Sequence, residues 1–558
     1  MPRSPERVLW IHRARRIGKS GKVRRLGQSH CIQTASDTCN ARLFQPGLAP
    51  GGGRNRRFVR GVPTKITLTT TSRMAILNTD GKAVTLAFSV ASNCSLMHPS
   101  SFENMQKCYD RYLAARSVEQ DCRLTVVEVG SADVNGSYRA IFPNQTFHYV
   151  GCNRVLGPGV DLVLDDPYRL PVPDAYAHVV ISGQVLEQCE FFWLAFGEML
   201  RILKPDGYLF LIAPSSGPIH CYPVDCYRFY PDAFRALAKY TGCRLVDLWN
   251  DDRGPWNDLV GVFRHAEAPL PSAVEIADNL AAARRSYQSR VVANRGINLK
   301  QLGEIPTEAE VTKGAASYLT VLQRLHEALD PRLYLEIGVR RGRSLALARG
   351  SAVGVDPAPE LTASLSAATI LFSETSDDFF DHNAGSALGG GVDLAFIDGM
   401  HRSENVLRDI MGVERHARPS ALLAIDDVFP NHPLQAERCR RTSAWCGDVW
   451  KIIGCLERYR PDLLLLRLDV APAGLLLVSG FEPAHRGLRN LYNPIARSLA
   501  VPASPVVPAE ILAREGALSP DDPRISSLLA LLRELVGNGA NHSTVGARLR
   551  YWRKAHSL

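Results

Sequence analysis

Short apolar runs alternate with stretches of helical periodicity in two separate parts of this chain. The first part has runs at 124–129, 147–151, 161–164, 177–182 and 207–213, with helical stretches such as 191–203 between them. The second has runs at 333–337, 352–356, 368–372, 392–397, 421–426 and 474–479. Apolar strands separated by helices are what a parallel sheet covered on both faces requires, so each part predicts a doubly wound α/β domain. A helix from Ser101 carrying Met105, Tyr109, Tyr112 and Leu113 leads into the first, and Lys204-Pro205-Asp206-Gly207 predicts the turn before its fifth strand. Residues 266–273, rich in Ala and Pro, predict a linker, followed by helical patterns at 274–295 and 307–329. After Phe481 the chain turns Pro- and Ala-rich, with one amphipathic helix near 524–536 and a basic end. The expected organisation is an N-terminal region 1–96, a first domain 97–265, a linker with helix 266–312, a second domain 313–482 and a C-terminal tail 483–558.

A length of 558 residues, 46% hydrophobic and 22% charged, allows two or three domains with their own cores. The net charge of +9 suggests nucleic acid, but residues 1–60 hold fourteen Lys and Arg against Glu6 and Asp37, a net of +12 that leaves −3 for the rest. No basic face on the domains is implied, and nucleic acid is not expected as a partner. The Arg- and Gly-rich composition predicts a basic, largely disordered region over 1–96. Within it, 64–90 could form a hairpin turning at Asp80-Gly81, and Met74 and Met97 are internal candidate starts. Thirteen cysteines without a C-x-x-C pair indicate neither a disulfide framework nor a zinc site, which fits a reducing cytoplasm. No apolar run reaches the roughly 18 residues that span a bilayer. A homo-oligomer is left open.

The chemistry begins at Leu333-Tyr334-Leu335-Glu336-Ile337-Gly338-Val339-Arg340-Arg341-Gly342, which reads as strand, tight turn and helix start. Gly338 and Gly342 let the backbone pass close to a ligand, and the helix N-terminus offers free N–H groups. Glu336 sets the loop apart from dinucleotide oxidoreductases, whose glycines admit a pyrophosphate that a carboxylate would repel, and favours a cationic ligand. Val126-Val127-Glu128-Val129-Gly130 with Gly136 repeats the arrangement one domain earlier. Both stretches resemble the first motif of class I S-adenosylmethionine (SAM) methyltransferases, whose acid lies near the positively charged methionine part of the cofactor. The resemblance implies two Rossmann-like domains in tandem that bind SAM through Glu128, Gly130 and Gly136, and through Glu336, Gly338 and Gly342. The competing classes are a NAD(P)-dependent sugar oxidoreductase, disfavoured by Glu128 and Glu336, and a scaffold of inactive domains.

In the second domain Asp356 ends the second strand twenty residues after Glu336, where an acid can accept both hydroxyls of a ribose. A helix-capping aspartate would look the same. The fourth and fifth strands run into Asp398 and into Asp426-Asp427, and carboxylates converging on one rim repel unless a cation neutralises them, though strand-end aspartates that merely cap helices would look the same. All-oxygen ligands favour Mg²⁺ or Mn²⁺. His401 lies on the same rim and could take a proton from a hydroxyl. Asp398-x-x-His401 with Asp426-Asp427 resembles metal-dependent O-methyltransferases acting on macrolide sugars, and more loosely the catechol-type enzymes, over about 315–482. That resemblance implies Mg²⁺ on Asp398, Asp426 and Asp427, chelating the acceptor diol, with His401 as base. The stretch 442–451 is placed for acceptor binding, with Asp448, Trp450 and Lys451 as candidates or as ordinary packing.

In the first domain, Gly157-Pro158-Gly159-Val160-Asp161 and Asp165-Asp166-Pro167-Tyr168-Arg169-Leu170-Pro171 resemble the common small-molecule SAM methyltransferases over about 100–265. Asp166, five residues before Pro171, matches the family position that contacts the adenine amino group. Asn153 stands where a ribose-binding acid is expected, Ala132 replaces a glycine, and Gln188 follows Glu187 where relatives often have His. An amide can still bond one ribose hydroxyl, so Asn153 remains a cofactor contact. The segment from His220 to Asp232 resembles bacterial methyltransferases of surface-glycan modification; His220 could be a base with Asp225 and Arg228 as a buried pair orienting it, or the pair could be a structural ion pair closing the loop. The combined expectation is a cytoplasmic tandem methyltransferase that O-methylates a saccharide or another small hydroxylated acceptor, its first domain either active or degenerate.

Overall fold

The computed structural model describes Met74–Leu77, Ala83–Leu86 and residues 98–116, 123–133, 136–219, 224–297, 305–366, 368–501 and 506–557. Strands β1 (Met74–Leu77) and β2 (Ala83–Leu86) pair antiparallel, as the hairpin pattern predicts. Apart from these two strands, the region 1–96 expected to be largely disordered lies outside the described residues, as does the turn at Asp80-Gly81.

Chain from Ser92 onward forms one compact unit built on two sheets. The first contains β3 (Leu124–Val129), β4 (Phe147–Asn153), β5 (Leu162–Val163), β6 (Ala177–Gly183), β7 (Leu203–Pro214), β8 (Arg244–Asp251) and β9 (Asp258–Arg264), in the order β5-β4-β3-β6-β7-β9-β8. A short pair, β10 (Ala316–Ser317) with β17 (Val470–Ala471), stands apart. The second sheet contains β11 (Leu333–Ile337), β12 (Ser351–Val355), β13 (Thr369–Phe372), β14 (Val392–Ile397), β15 (Ala417–Asp426), β16 (Leu464–Leu468) and β18 (Leu475–Ser479), in the order β13-β12-β11-β14-β15-β18-β16. The two orders are the same. In each, the strand next to the last position, β9 or β18, runs antiparallel to both of its neighbours. Strand order reverses between β4-β3 and β6, and between β12-β11 and β14, which puts the crevice beyond the carboxyl ends of β3 and β11.

Helices fill both faces. One face of the first sheet packs on α2 (Phe192–Ile202) and α3 (Pro231–Thr241) through Phe196, Phe229, Phe234 and Phe263, the other on α1 (Pro99–Tyr112) with Tyr138 and Phe142. Helix α4 (Ala273–Arg295) leads out of this domain. The second sheet packs on α6 (Ser403–Arg415), α7 (Lys451–Tyr459) and α8 (Tyr492–Ala500) on one face. Its other face packs on α5 (Tyr318–Leu329), α9 (Pro523–Gly537) and α10 (His542–Ala555).

Several expectations change. Lys204–Gly207 is a bulge inside β7, because pairing jumps from Ala177↔Leu203 to Val179↔Tyr208. The pattern at 307–329 is only a 3₁₀ turn at Thr307–Glu310 and then α5, since Ala316 and Ser317 pair with Val470 and Ala471 instead. Gly314 at φ +142° makes that close approach, and a Cβ there would lie 2.0 Å from the Ala471 nitrogen. Strand β8 escapes the apolar pattern because it is a half-buried edge strand carrying Arg244, Asp247 and Asp251. Residues 483–558 are not a tail: Leu528, Leu532, Leu535, Leu549 and Trp552 belong to the core of the second sheet. Among the described residues no cysteine is in a disulfide, and no helix is long and apolar enough to cross a membrane.

Candidate functional site

In the second domain, β11 ends at a turn whose geometry is set by glycine. Gly338 sits at φ +91°, and a Cβ on it would lie 1.9 Å from the carbonyl oxygen of Asp398. The close approach that the glycine permits is therefore to the loop after β14, which fixes where Asp398 begins its own turn. Gly342, at φ +76°, comes within 3.0 Å of Leu361 in the same test. Glu336 is fully buried beneath the turn, accepting hydrogen bonds from the Tyr334 hydroxyl at 2.7 Å and the Ser344 hydroxyl at 2.7 Å. Burial pushes its pKa up to about 8 despite those two donors.

Asp356 follows β12 at the next position along the rim. Its side chain is 1% exposed and its oxygens are taken: the Arg340 amide donates to Oδ2 at 2.7 Å and the Ala358 amide to Oδ1 at 2.7 Å. The Arg295 guanidinium, from α4, forms an ion pair with it at 3.2 Å. Glu374, just past β13, is the acid that sequence reasoning missed on this rim. It follows the third strand of its domain, as Asp166 follows β5 in the first, and the shared strand order could have drawn attention to it.

Beyond β14 and β15 the acids converge. Asp398, His401 and Asp427 each offer a ligand atom within 4.8 Å of the others. His401 Nδ1 lies 2.7 Å from Asp427 and 3.0 Å from the Trp445 carbonyl, and Nε2 lies 3.3 Å from Asp398. Asp426 is beside them, accepting the Asp427 amide on Oδ1 at 2.9 Å. Burial and the charges of Asp427 and Asp398 hold Asp426 well above the carboxylate range, and burial also raises Asp398. Burial opposes a charge on His401, but Asp427 and Asp398 keep its imidazole well above the usual range. In this state the imidazolium is the cation that neutralises the cluster. His401 at φ +55°, Asp427 at φ +66° and Arg340 at φ +44° are non-glycine residues in left-handed backbone, all on this rim.

The indole of Trp445 stacks on His401, 4.9 Å away and 2° from parallel, and Gly447 at φ +59° lets the loop close against the His401 carbonyl. Sequence reasoning found this loop but chose other residues in it. Asp448 is fully buried, accepting from the Ser403 amide, Arg438 and Lys451, so it and Lys451 hold the loop to α6. Trp450 packs on the core. Tyr318, also missed, stacks on Phe396 of β14, and its phenol is pushed up to about 12 by burial and by the charges of Asp398 and Asp426.

The first domain repeats the frame with different fillings. Glu128 is 3% exposed and accepts the Tyr149 hydroxyl at 2.5 Å, and burial pushes it up to about 7. Gly130, at φ +90°, would meet Val185 at 2.1 Å if it had a Cβ, and the Gly136 amide donates to Asp133 at 2.9 Å. Asn153 ends β4 at the position of Asp356, and its amide donates to the Val155 carbonyl at 3.1 Å. Asp166 is exposed, with Oδ1 accepting the Tyr168 amide at 2.8 Å. Asp225 and Arg228 form the expected pair, through two contacts at 2.5 and 2.7 Å, whereas His220, which the pair was expected to orient, lies outside the described residues.

Comparison with known proteins adds to this geometry. Residues 335–428 match one family described as a methyltransferase domain, and residues 125–211 match a second family of the same description. No curated protein matches the chain. Similar solved structures include the 1,6-didemethyltoxoflavin-N1-methyltransferase of Burkholderia thailandensis with bound S-adenosylhomocysteine, 16% identical, over 30% of this chain and 85% of that one, TM-score 0.23. Others are cofactor-bound Rv0187 from MTB, at 20% identity over 38% and 98% with TM-score 0.25, and a SAM-dependent methyltransferase from Aquifex aeolicus, at 13% identity over 30% and 97% with TM-score 0.21.

Proposed function

From a chain that carries two SAM-dependent methyltransferase domains in tandem, we propose that the second performs metal-assisted O-methylation of a small hydroxylated acceptor, a saccharide or glycan precursor by preference, in the cytoplasm. The observation that carries this reading is the convergence of Asp398, His401 and Asp427 on the rim beside the Gly338 turn. The carboxylates of Asp398 and Asp427, with Asp426 beside them, suit a divalent cation that takes oxygen ligands. When bound, that cation would lower the pKa of an acceptor hydroxyl and take over the charge that the imidazolium supplies.

The chain's own residues then have distinct tasks. Asp356 accepts the ribose hydroxyls, and Glu336 supplies negative charge below the turn that receives the sulfonium. Asp427 and the Trp445 carbonyl hold His401 by Nδ1, and the stacked indole fixes the ring plane. Nε2, which lies 3.3 Å from Asp398, would be freed when Asp398 turns to the cation, and would take the acceptor's proton as the acceptor oxygen attacks the methyl carbon, the carbon–sulfur bond breaks and S-adenosylhomocysteine leaves. Because the displacement is in line, alignment of acceptor and methyl supplies most of the rate. The first domain binds SAM more weakly, since Asn153 brings no charge to the ribose.

The test is to incubate the full-length protein with labelled SAM and cell-envelope extract, with and without EDTA. Label should enter a saccharide fraction and be lost in EDTA and in Asp427→Ala, with SAM binding nearly intact. His401→Ala should lose roughly 10²–10⁴-fold in rate, partly recovered at high pH where the acceptor ionises unaided. Full activity in EDTA or in Asp427→Ala would reject the metal reading.

A further inference from the structure

Helix α4 is unusual for a 23-residue helix in that its only buried residue is Asn279. An element of that length with so little apolar surface buried is held largely by polar contacts, which is the kind of element that opens locally. Its two halves are attached to different domains. Near the start, Asn279 accepts the Ala115 amide at 2.8 Å and Ile276 packs on the first domain's core. Further on, it lies across the rim of the second sheet. Arg284 pairs with Glu374 at 3.1 Å, Gln288 donates to the Pro357 carbonyl at 2.6 Å, and Arg295 pairs with Asp356 at 3.2 Å while donating to the Ala358 carbonyl at 2.5 Å. Arg284 and Arg295 are eleven residues apart, about three turns, so both project from one face of the helix. Beside this span is a cavity of about 600 Å³ bordered by Tyr287, Gln288, Pro357 and Glu374.

Asp356 and Glu374 stand at the carboxyl ends of the second and third strands, which is where the adenosine of a bound cofactor would lie. Each is now satisfied by a guanidinium from α4. With two backbone amides and Arg295 on its carboxylate, Asp356 has no room for a ribose diol as well. We propose that α4 is a gate on the second domain's cofactor site, whose arginines occupy the adenosine-recognising acids and must withdraw before SAM or S-adenosylhomocysteine binds. Because the same helix is anchored on the first domain, its withdrawal couples cofactor entry in one domain to the position of the other. The proposal rests on the reading that Asp356 is a ribose acceptor.

The experiment uses the full chain and S-adenosylhomocysteine as the probe. Calorimetric titration of wild type and Asp356→Ala first identifies the site that depends on Asp356. A site whose competent state is populated only when the helix is away binds more weakly by that fraction, so Arg284→Gln with Arg295→Gln should tighten this site by about tenfold or more. Hydrogen exchange on the wild-type protein, which needs no variant to fold, should become faster over 284–295 when the ligand is added. An unchanged or weakened site in the double variant, or ligand protection of 284–295, would overturn the gate and leave the ribose reading standing. If Asp356→Ala removes no site, that reading fails and the gate fails with it.

Discussion

Glu336 and Glu128 hold equivalent places in their domains and are shifted in the same direction by the same cause. Burial pushes them up to about 8 and about 7, so near neutral pH each is largely or partly protonated without cofactor. A sulfonium near either acid favours its ionised form, and SAM affinity should therefore rise as pH increases from 6 to 9, most steeply near those values. Glu336→Gln should flatten the dependence at the second site in titrations across pH. The sign for stability is opposite: an acid with a raised folded pKa contributes stability fully present below its unfolded value of 4.5, lost as pH rises through about 8. Thermal melts of the cofactor-free protein should fall over that window and fall less in Glu336→Gln. At Gly338 the constraint is steric, with left-handed backbone and the Asp398 carbonyl in the way of any side chain. Gly338→Ala should cost roughly 2–4 kcal/mol in denaturant unfolding and should also displace Asp398. For the first domain, Asn153→Asp in an Asp356→Ala background should tighten SAM binding, since an acid accepts where the amide now donates to Val155. Unchanged affinity would mean that Asn153 is not what limits this site.

At the level of elements, the helices beyond residue 482 matter more than their composition suggests. Leu532 is fully buried and Trp552 is 5% exposed, both against a sheet face that also carries Leu464, Leu466 and Leu477. Leu532→Ala should destabilise by about 2–5 kcal/mol, as buried leucines do, and a chain ending at 482 should be insoluble or bind hydrophobic dye, because one face of the second sheet would be bare. A soluble, cooperatively melting truncation would contradict the packing. Little of this was legible in the sequence, because α9 is a single amphipathic pattern and α10 is mostly polar outside Val545, Leu549 and Trp552. The 307–329 pattern failed for a related reason: helical spacing is local, and the pairing of Ala316 with Val470 is not.

Across the whole of the unit from Ser92 onward, the two domains meet through charge. Glu103 on α1 accepts from Arg253 at 2.5 Å, from Arg408 on α6 at 3.0 Å and from the Tyr492 hydroxyl at 2.8 Å, while Arg408 also grips Asp377. Arg486 and Arg489 of the second domain close on Asp252 of the first. Partly buried charge pairs of this kind are costly to break from one side. Glu103→Gln should weaken the junction by about 2–3 kcal/mol, and calorimetry should then resolve two unfolding transitions where the native chain gives one. A single unshifted transition would mean that the network adds nothing to the coupling.

The sequence by itself determined the strands that carry chemistry, since a buried parallel strand must be apolar along its length and an acid that interrupts or ends the run is visible. Glu128, Glu336, Asp356, Asp398 and Asp427 were legible for that reason, and so was the repetition of one fold. What occupies those acids was decided only by the tertiary structure. Arg295 reaches Asp356 across 61 residues of sequence, Trp445 meets His401 across 44, and Arg284 meets Glu374 across 90. Such pairs depend on where helices and loops come to rest on the sheet, and hydrophobic periodicity carries information about which face of an element is buried, not about which distant polar group will arrive beside it.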